Sequence, residues 1–206
     1  MRTRIKICGI TSVEDGLAAA EAGADAIGFV FYPKSPRYVE PARAAAIARA
    51  LPPFVDVVAL FVNEAPETVR AVLAAVPVNI LQFHGDEDET YCRQFGRPYY
   101  KAARMGPGLD LVQYAASFPS AQAILLDAFV EGYGGGGHTF DWRLIPATLS
   151  RPIVLSGGLT VDNVTEAVRR VRPPAVDVSS GVEKAKGVKD HAKIAAFIAG
   201  VRNADV

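Results

Sequence analysis

Cysteine, histidine and net charge are what this chain has least of. Its two cysteines, Cys8 and Cys92, are too few and too unpatterned for a disulfide scaffold or a zinc site. Its three histidines, His84, His138 and His191, show no metal-ligand spacing, so no metal is expected. Lys+Arg and Asp+Glu stand at 22 each, and this balance advertises no basic face for nucleic acid or an anionic membrane. No uncharged apolar run approaches the ~18 residues of a helical membrane span. The opening Met1-Arg2-Thr3-Arg4 runs directly into strand-like residues, without the apolar region and cleavage site of a secretory signal. There is no composition shift, low-complexity tract or long linker. The expectation is one domain over residues 1–206, cytoplasmic, with no nucleic-acid or membrane partner. A chain of this length buries roughly 70% of its unfolded surface, which allows a sizeable core.

What is present is alternation. Arg4-Ile5-Lys6-Ile7-Cys8 reads as a strand with a period of two, ending on a cysteine and turning at Gly9. If Ile5 and Ile7 face covering helices, Cys8 points the other way, with Gly9 leaving room beside its sulfur. Thr11 or Ser12 caps a helix that ends at Gly23. The nearly continuous apolar run Ala26–Phe31 is a strand covered on both faces. Strands follow at Val55–Val62, Val78–Phe83, Tyr99–Ala103, Ala123–Leu126, Pro152–Leu155 and Ala175–Val178. Helices are expected around residues 41–51, over Pro66–Ala75, Glu87–Phe95 and Leu109–Ala116, near 142–148, and over Val161–Val171 and Val188–Val201. Eight strand–helix units of roughly 25 residues imply a parallel α/β sheet able to close into a (β/α)8 TIM barrel. An open doubly wound sheet is the alternative, but no dinucleotide fingerprint follows the first strand.

Catalytic groups in such a barrel lie where strands end and the next loops begin. Those positions hold Cys8, Arg37, Gln82, His84, Asp127, Ser156–Gly158 and Ser179–Gly181. Cys8 reads either as a small buried hydrophobe or as a nucleophile and proton base. Asp127 closes an apolar run; it is either a loop cap or a desolvated acid able to donate a proton. An acid and a base across one pocket suit isomerisation. The paired loops Ser156-Gly157-Gly158 and Ser179-Ser180-Gly181 suit phosphate, because glycines let N–H groups close around an anion. Gly157, Gly158, Ser180 and Gly181 are the expected contacts. Arg37 is either a solvated surface arginine or a fork for a carboxylate. Gln82 and His84 share one face at the mouth and are candidate substrate-binding residues; His84 is otherwise either a hydrogen-bonded structural histidine or an acid–base catalyst. Lys6 and Asp177 share the parity of Cys8 and Ser179; either they pair inside the barrel or Asp177 accepts a substrate hydroxyl. His191 is expected to be a solvated or capping side chain. The run Gly132–His138 reads as a linker or as a lid over the site.

Taken in order, Lys6-Ile7-Cys8-Gly9-Ile10-Thr11, Gly23–Phe31, Ser35-Pro36-Arg37, Gln82-Phe83-His84-Gly85, Leu126-Asp127, Thr139-Phe140-Asp141-Trp142, Leu155–Leu159 and Val176–Glu183 resemble the phosphoribosylanthranilate isomerase family of tryptophan biosynthesis. The resemblance covers essentially the whole chain. It implies a (β/α)8 barrel that performs an Amadori rearrangement without a cofactor, with a small phosphoribosyl substrate as its partner. By it, Asp127 is the general acid and Cys8 the base, Arg37 binds the anthranilate carboxylate, and the glycine loops bind phosphate. Two departures stand out. The lid has Gly135-Gly136-Gly137-His138 where the family usually has Gly-Gly-Thr/Ser-Gly-Lys, and Phe83 replaces a leucine. The competing readings are an isomerase or lyase of another phosphorylated ribose, and a non-catalytic phosphoribosyl-ligand binder. Either a monomer or a homodimer is compatible with the sequence.

Overall fold

A computed structural model describes residues 2–129 and 139–204. The order is β1 (Arg4–Cys8), α1 (Val13–Ala22), β2 (Ala26–Val30), α2 (Pro41–Ala50), β3 (Asp56–Phe61), α3 (Pro66–Ala75), β4 (Ile80–Phe83), α4 (Glu89–Arg93), β5 (Tyr99–Met105), α5 (Leu111–Ala116) and β6 (Ala123–Ala128). A 3-10 turn (Trp142–Leu144), β7 (Ile153–Leu155), α6 (Val164–Val171) and β8 (Ala175–Val178) follow. A second 3-10 turn (Ser180–Val182), β9 (Glu183–Ala185), β10 (Val188–Lys189) and α7 (His191–Ala204) complete it. Strands β1 to β8 are parallel and hydrogen-bonded in sequence order, and β8 closes on β1 with Lys6 opposite Asp177. This is the (β/α)8 barrel that the alternation implies.

Strand parity sorts the residues. Ile5, Ile7, Ile27, Phe29, Leu126 and Val176 face outward into the large core under the helices. Ala102, Ala123, Leu125 and Val154 form one small cluster, and Cys8, Val30, Leu60 and Val62 another. Lys6 and Asp177, with the parity of Cys8, are buried inside the barrel.

Two of the differences from the sequence reading, at the starts of α4 and α5, have one cause. Asp88 caps α4 through Tyr91 N–H, and Asp110 caps α5 through Val112 and Gln113 N–H. Asn163 precedes α6 without a side-chain cap bond; its side chain is turned back to Thr160 N–H and the Gly158 carbonyl. A capping residue sits outside the helix it stabilises, so the periodic pattern alone starts each helix a few residues early. The largest correction is at the C-terminal end. Val188 does not open the last helix: it pairs with Ala185 in an antiparallel hairpin that turns at Gly187, φ +77°. Helix α7 begins at His191, where the Asp190 side chain accepts from Lys193 N–H. The helix expected near 142–148 is a single 3-10 turn. No described helix is long and apolar enough to cross a membrane.

Candidate active site

Cys8 is the last residue of β1 and Asp127 the penultimate residue of β6, both at the C-terminal rim of the barrel and both buried. Space beside the sulfur comes from Gly28 rather than Gly9. A Cβ at Gly28 would lie 2.8 Å from Cys8 Sγ and 3.0 Å from Lys6 Cε. Gly9, at φ +76°, instead makes room for the Arg37 stem, 2.6 Å from the position of such a Cβ.

Lys6 and Asp177 do pair inside the barrel, Nζ to Oδ1 at 2.7 Å, and Ser156 Oγ reaches the other Asp177 oxygen at 3.3 Å. Burial opposes the Lys6 charge, but Asp177 and the Cys8 sulfur outweigh it and hold the ammonium charged. Burial dominates at Cys8 and pushes its thiol above the ordinary 9.0, while Lys6 and Lys189 pull it back down. A thiolate formed here is therefore stabilised by two ammonium groups.

Across the rim a hydrogen-bonded thread runs to the acid. Gln82 Nε2 lies 3.0 Å from His84 Nδ1, and His84 Nε2 lies 3.0 Å from Asp127 Oδ2. The other Asp127 oxygen accepts the Ala128 N–H at 3.0 Å. The loop carrying His84 is fixed by Lys101. This buried lysine on the outer face of β5 donates to the carbonyls of Gly85 (2.6 Å) and Phe83 (3.4 Å), and pairs with Glu87 at 3.3 Å. Glu87 in turn accepts from the Gly85 and Asn63 N–H groups.

Between β7 and β8 the glycine loops approach each other. Gly157 and Gly158 hold φ +76° and +67°, and a Cβ on Gly157 would lie 2.3 Å from Ala128 N. A Cβ on Gly181 would collide with the Leu159 carbonyl, so only glycine permits this approach. None of the N–H groups of Gly157, Gly158, Ser180 and Gly181 donates to a carbonyl in the described turns and loops. Asn163 shapes the first loop by donating to Gly158 O and accepting from Thr160 N–H.

Arg37 departs from the simple expectation of an open fork. Its Nε and Nη2 donate to the two oxygens of Glu183 at 2.7 and 2.9 Å. One edge of the guanidinium is thus taken by the protein itself, and the Nη1/Nη2 edge remains. Glu183 and its second partner Lys189 (3.0 Å) are the site-adjacent residues that sequence reasoning missed. Glu183 stood unremarked at the end of a motif, and Lys189 was assigned to a helix. The signal was Gly187 followed by Val-Lys-Asp, a turn and a cap. His191, half exposed, is anchored to Asp15 at 2.8 Å. The Gly132–His138 run, with His138, lies outside the described residues.

A parallel eight-stranded barrel with a thiol, a carboxyl and an anion-ready double loop on one rim defines a (β/α)8 phosphate-substrate enzyme of the proton-transfer class. A sequence model of N-(5'-phosphoribosyl)anthranilate (PRA) isomerase matches residues 5–200, and the chain belongs to that family. It is 70% identical over 205 residues to the N-(5'-phosphoribosyl)anthranilate isomerase of Dechloromonas aromatica, covering 100% of this chain and 99% of that one. The phosphoribosyl anthranilate isomerase of Thermotoga maritima superposes with a TM-score of 0.90 at 46% identity, over 98% and 99% of the two chains. A phosphoribosyl anthranilate isomerase solved in complex with reduced 1-(o-carboxyphenylamino)-1-deoxyribulose 5-phosphate superposes at 0.84 with 42% identity, again over 98% and 99%.

Proposed function

We propose that this barrel converts N-(5'-phosphoribosyl)anthranilate into 1-(2-carboxyphenylamino)-1-deoxyribulose 5-phosphate, an Amadori rearrangement in tryptophan biosynthesis. The observation that carries the reading is the placement of Cys8 and Asp127 at the ends of β1 and β6, flanking the β7 and β8 glycine loops. Asp127 gives a proton to the ribose ring oxygen as the C1–O bond breaks, and the anthranilate nitrogen supplies the electron pair that forms the Schiff base. The Cys8 thiolate then takes the proton from C2, and the electrons left behind neutralise the iminium as an enolamine. That enolamine relaxes to the ketone. One proton is delivered and one removed, so the substrate is only isomerised, and exchange with water restores the pair.

The phosphate sits against the N–H groups of Gly157, Gly158, Ser180 and Gly181, and Arg37 takes the anthranilate carboxylate with its free edge. Asp177 offers an oxygen, shared with Ser156, to a ribose hydroxyl, and His84 and Gln82 line the acid side. The reading places the enzyme in the cytoplasm, where the substrate's class of phosphorylated sugar is made and used. Phe54, fully exposed at φ +69°, is the candidate contact for a homodimer, and sedimentation of Phe54→Ser against the parent chain tests it. A fluorescence assay following the anthranilate group tests the activity. Turnover of the phosphoribosyl amine supports the reading; binding without turnover overturns it.

A further inference from the structure

We infer that Glu183 is a positioning residue for Arg37, and that the β9–β10 hairpin carrying Glu183 and Lys189 sets the enzyme's selection for a substrate bearing a carboxylate. The inference deepens the proposed function and rests on its reading of Arg37 as the carboxylate grip.

The hairpin is the one accessory sheet among the described residues. It is strapped down from several sides. Thr11 Oγ1 donates to Gly187 O at 2.7 Å, Lys189 N–H to Asp15 at 3.1 Å, and Lys193 Nζ to Glu183 O at 3.0 Å. Gly187 lies so close to the Pro36 carbonyl that a Cβ would approach it to 2.7 Å. The Glu183 carboxylate is 6% exposed and the Lys189 ammonium fully buried. Lys189 also donates to Ser179 O at 3.0 Å.

Two consequences follow from this wiring. The first is geometric. An arginine has five N–H donors on a flexible stem, and holding its Nε/Nη2 edge fixes the plane in which the Nη1/Nη2 edge is presented. The second is electrostatic. One carboxylate shared between Arg37 and Lys189 leaves these three side chains net positive, a charge the Cys8 thiolate also draws on once it forms. Glu183 thus holds the fork without neutralising it alone. Without Lys189, an Arg37–Glu183 pair would offer an incoming anion no net charge. Glu183 also follows Ser180-Gly181 with only Val182 between. The elements proposed for the two anionic ends of the substrate are therefore tied through one short stretch anchored by the buried Val182.

Positioning and charge make opposite predictions for Glu183→Gln. Removing a negative charge beside a carboxylate grip tightens substrate binding if charge alone matters. Releasing the fork weakens it. The experiment measures KM and kcat for Glu183→Gln, Arg37→Lys and the double variant, with inhibition by inorganic phosphate as a control for the glycine loops. The expected result is a KM raised roughly tenfold to a hundredfold, the cost of a charge-assisted hydrogen bond, with kcat much less affected. Phosphate inhibition stays unchanged, and the double variant is little worse than Arg37→Lys alone. An unchanged or lowered KM in Glu183→Gln overturns the inference. A parallel loss of phosphate inhibition overturns it too, because it reports collapse of the hairpin. An unchanged KM in Arg37→Lys overturns the carboxylate reading of Arg37 instead. If Glu183→Gln does not fold, Glu183→Asp keeps the charge, withdraws it from the fork, and is judged by the same KM criterion.

Discussion

The two sides of the barrel mouth are built on different principles. Around Cys8, charged groups are packed densely and paired: Lys6 with Asp177, Lys189 with Glu183, Arg37 with Glu183. Around Asp127, among the described residues, the contacts are a hydrogen bond shared with a histidine and one accepted from a backbone N–H, with an amide behind the histidine. The contrast matches the opposite demands that the proposed roles place on the two groups. A thiol in a buried site needs nearby ammonium groups before it can exist as an anion. A carboxyl that must deliver a proton is served by a neighbour able to share that proton, and a fixed cation beside it would strip it away.

The comparison breaks most visibly at the reacting atoms. Cys8→Ser exchanges the thiolate for a hydroxyl that two ammonium groups cannot ionise, and Asp127→Asn removes the acid. Each is expected to cost turnover on the order of 10²–10⁴-fold, with the far-ultraviolet circular dichroism and melting temperature near those of the parent. Retained turnover in either variant removes that residue from the mechanism.

Next in size is the buried pair on the thiol side. Lys6→Met leaves Asp177 charged and almost fully buried without its ammonium partner, which costs about 3–5 kcal/mol of stability. Adding Asp177→Leu replaces the pair by apolar volume and is expected to recover most of that loss while turnover stays low. Denaturant unfolding of the two variants decides. If Lys6→Met melts like the parent, the pair is not what holds this wall together.

The thiol itself can be read directly. Because burial holds Cys8 above the ordinary 9.0, its thiolate fraction is still climbing at that pH. Alkylation by iodoacetamide, which follows the thiolate, is therefore expected to accelerate through pH 9 and not level off below it. Cys92 stays silent in the same experiment, being fully buried and pushed up to about 12 by burial. Removing Lys6 removes the largest opposing attraction, so in Lys6→Met the curve shifts further alkaline. A curve that saturates near neutrality would mean that the ammonium groups outweigh burial.

Much of this contrast was legible in the sequence, and what was not has a physical reason. Strand parity alone placed Cys8, Lys6 and Asp177 on the inside and Ile5 and Ile7 under the helices, because a period of two leaves no choice once the sheet closes. Gln82 and His84 fell on one face by the same rule. Contacts between loops were not legible. That Gly28 and not Gly9 makes room for the sulfur depends on the register of β1 against β2, where Cys8 stands opposite Gly28. That Glu183 occupies Arg37 depends on a contact across 146 residues of chain, which no local pattern encodes. The hairpin itself was hidden because the stretch from Val188 to Val201 reads as one helix when only its apolar content is weighed, although Gly187 and Asp190 carried the turn and the cap.

The smallest effects lie on the acid side. His84→Asn removes the group that holds Asp127 and is expected to lower kcat by roughly tenfold to a hundredfold, with phosphate inhibition unchanged. Gln82→Leu is gentler, because only one of its amide atoms is engaged: Oε1 is buried and has no partner among the described residues. With Nε2 donating to His84 Nδ1, the histidine carries its proton on Nε2 and gives it to an ionised Asp127. When Asp127 holds the proton ready for the ring oxygen, His84 must accept at Nε2 and donate from Nδ1. The acceptor it then requires is an oxygen, and a half-turn of the Gln82 amide brings the orphaned Oε1 into that place. Gln82→Leu can satisfy neither state, so kcat is expected to fall by about twofold to tenfold with KM nearly unchanged. A Gln82→Leu enzyme with the parent's kcat would show that Asp127 needs no help in choosing between its two protonation states, and the acid side of the mouth would reduce to a single carboxyl.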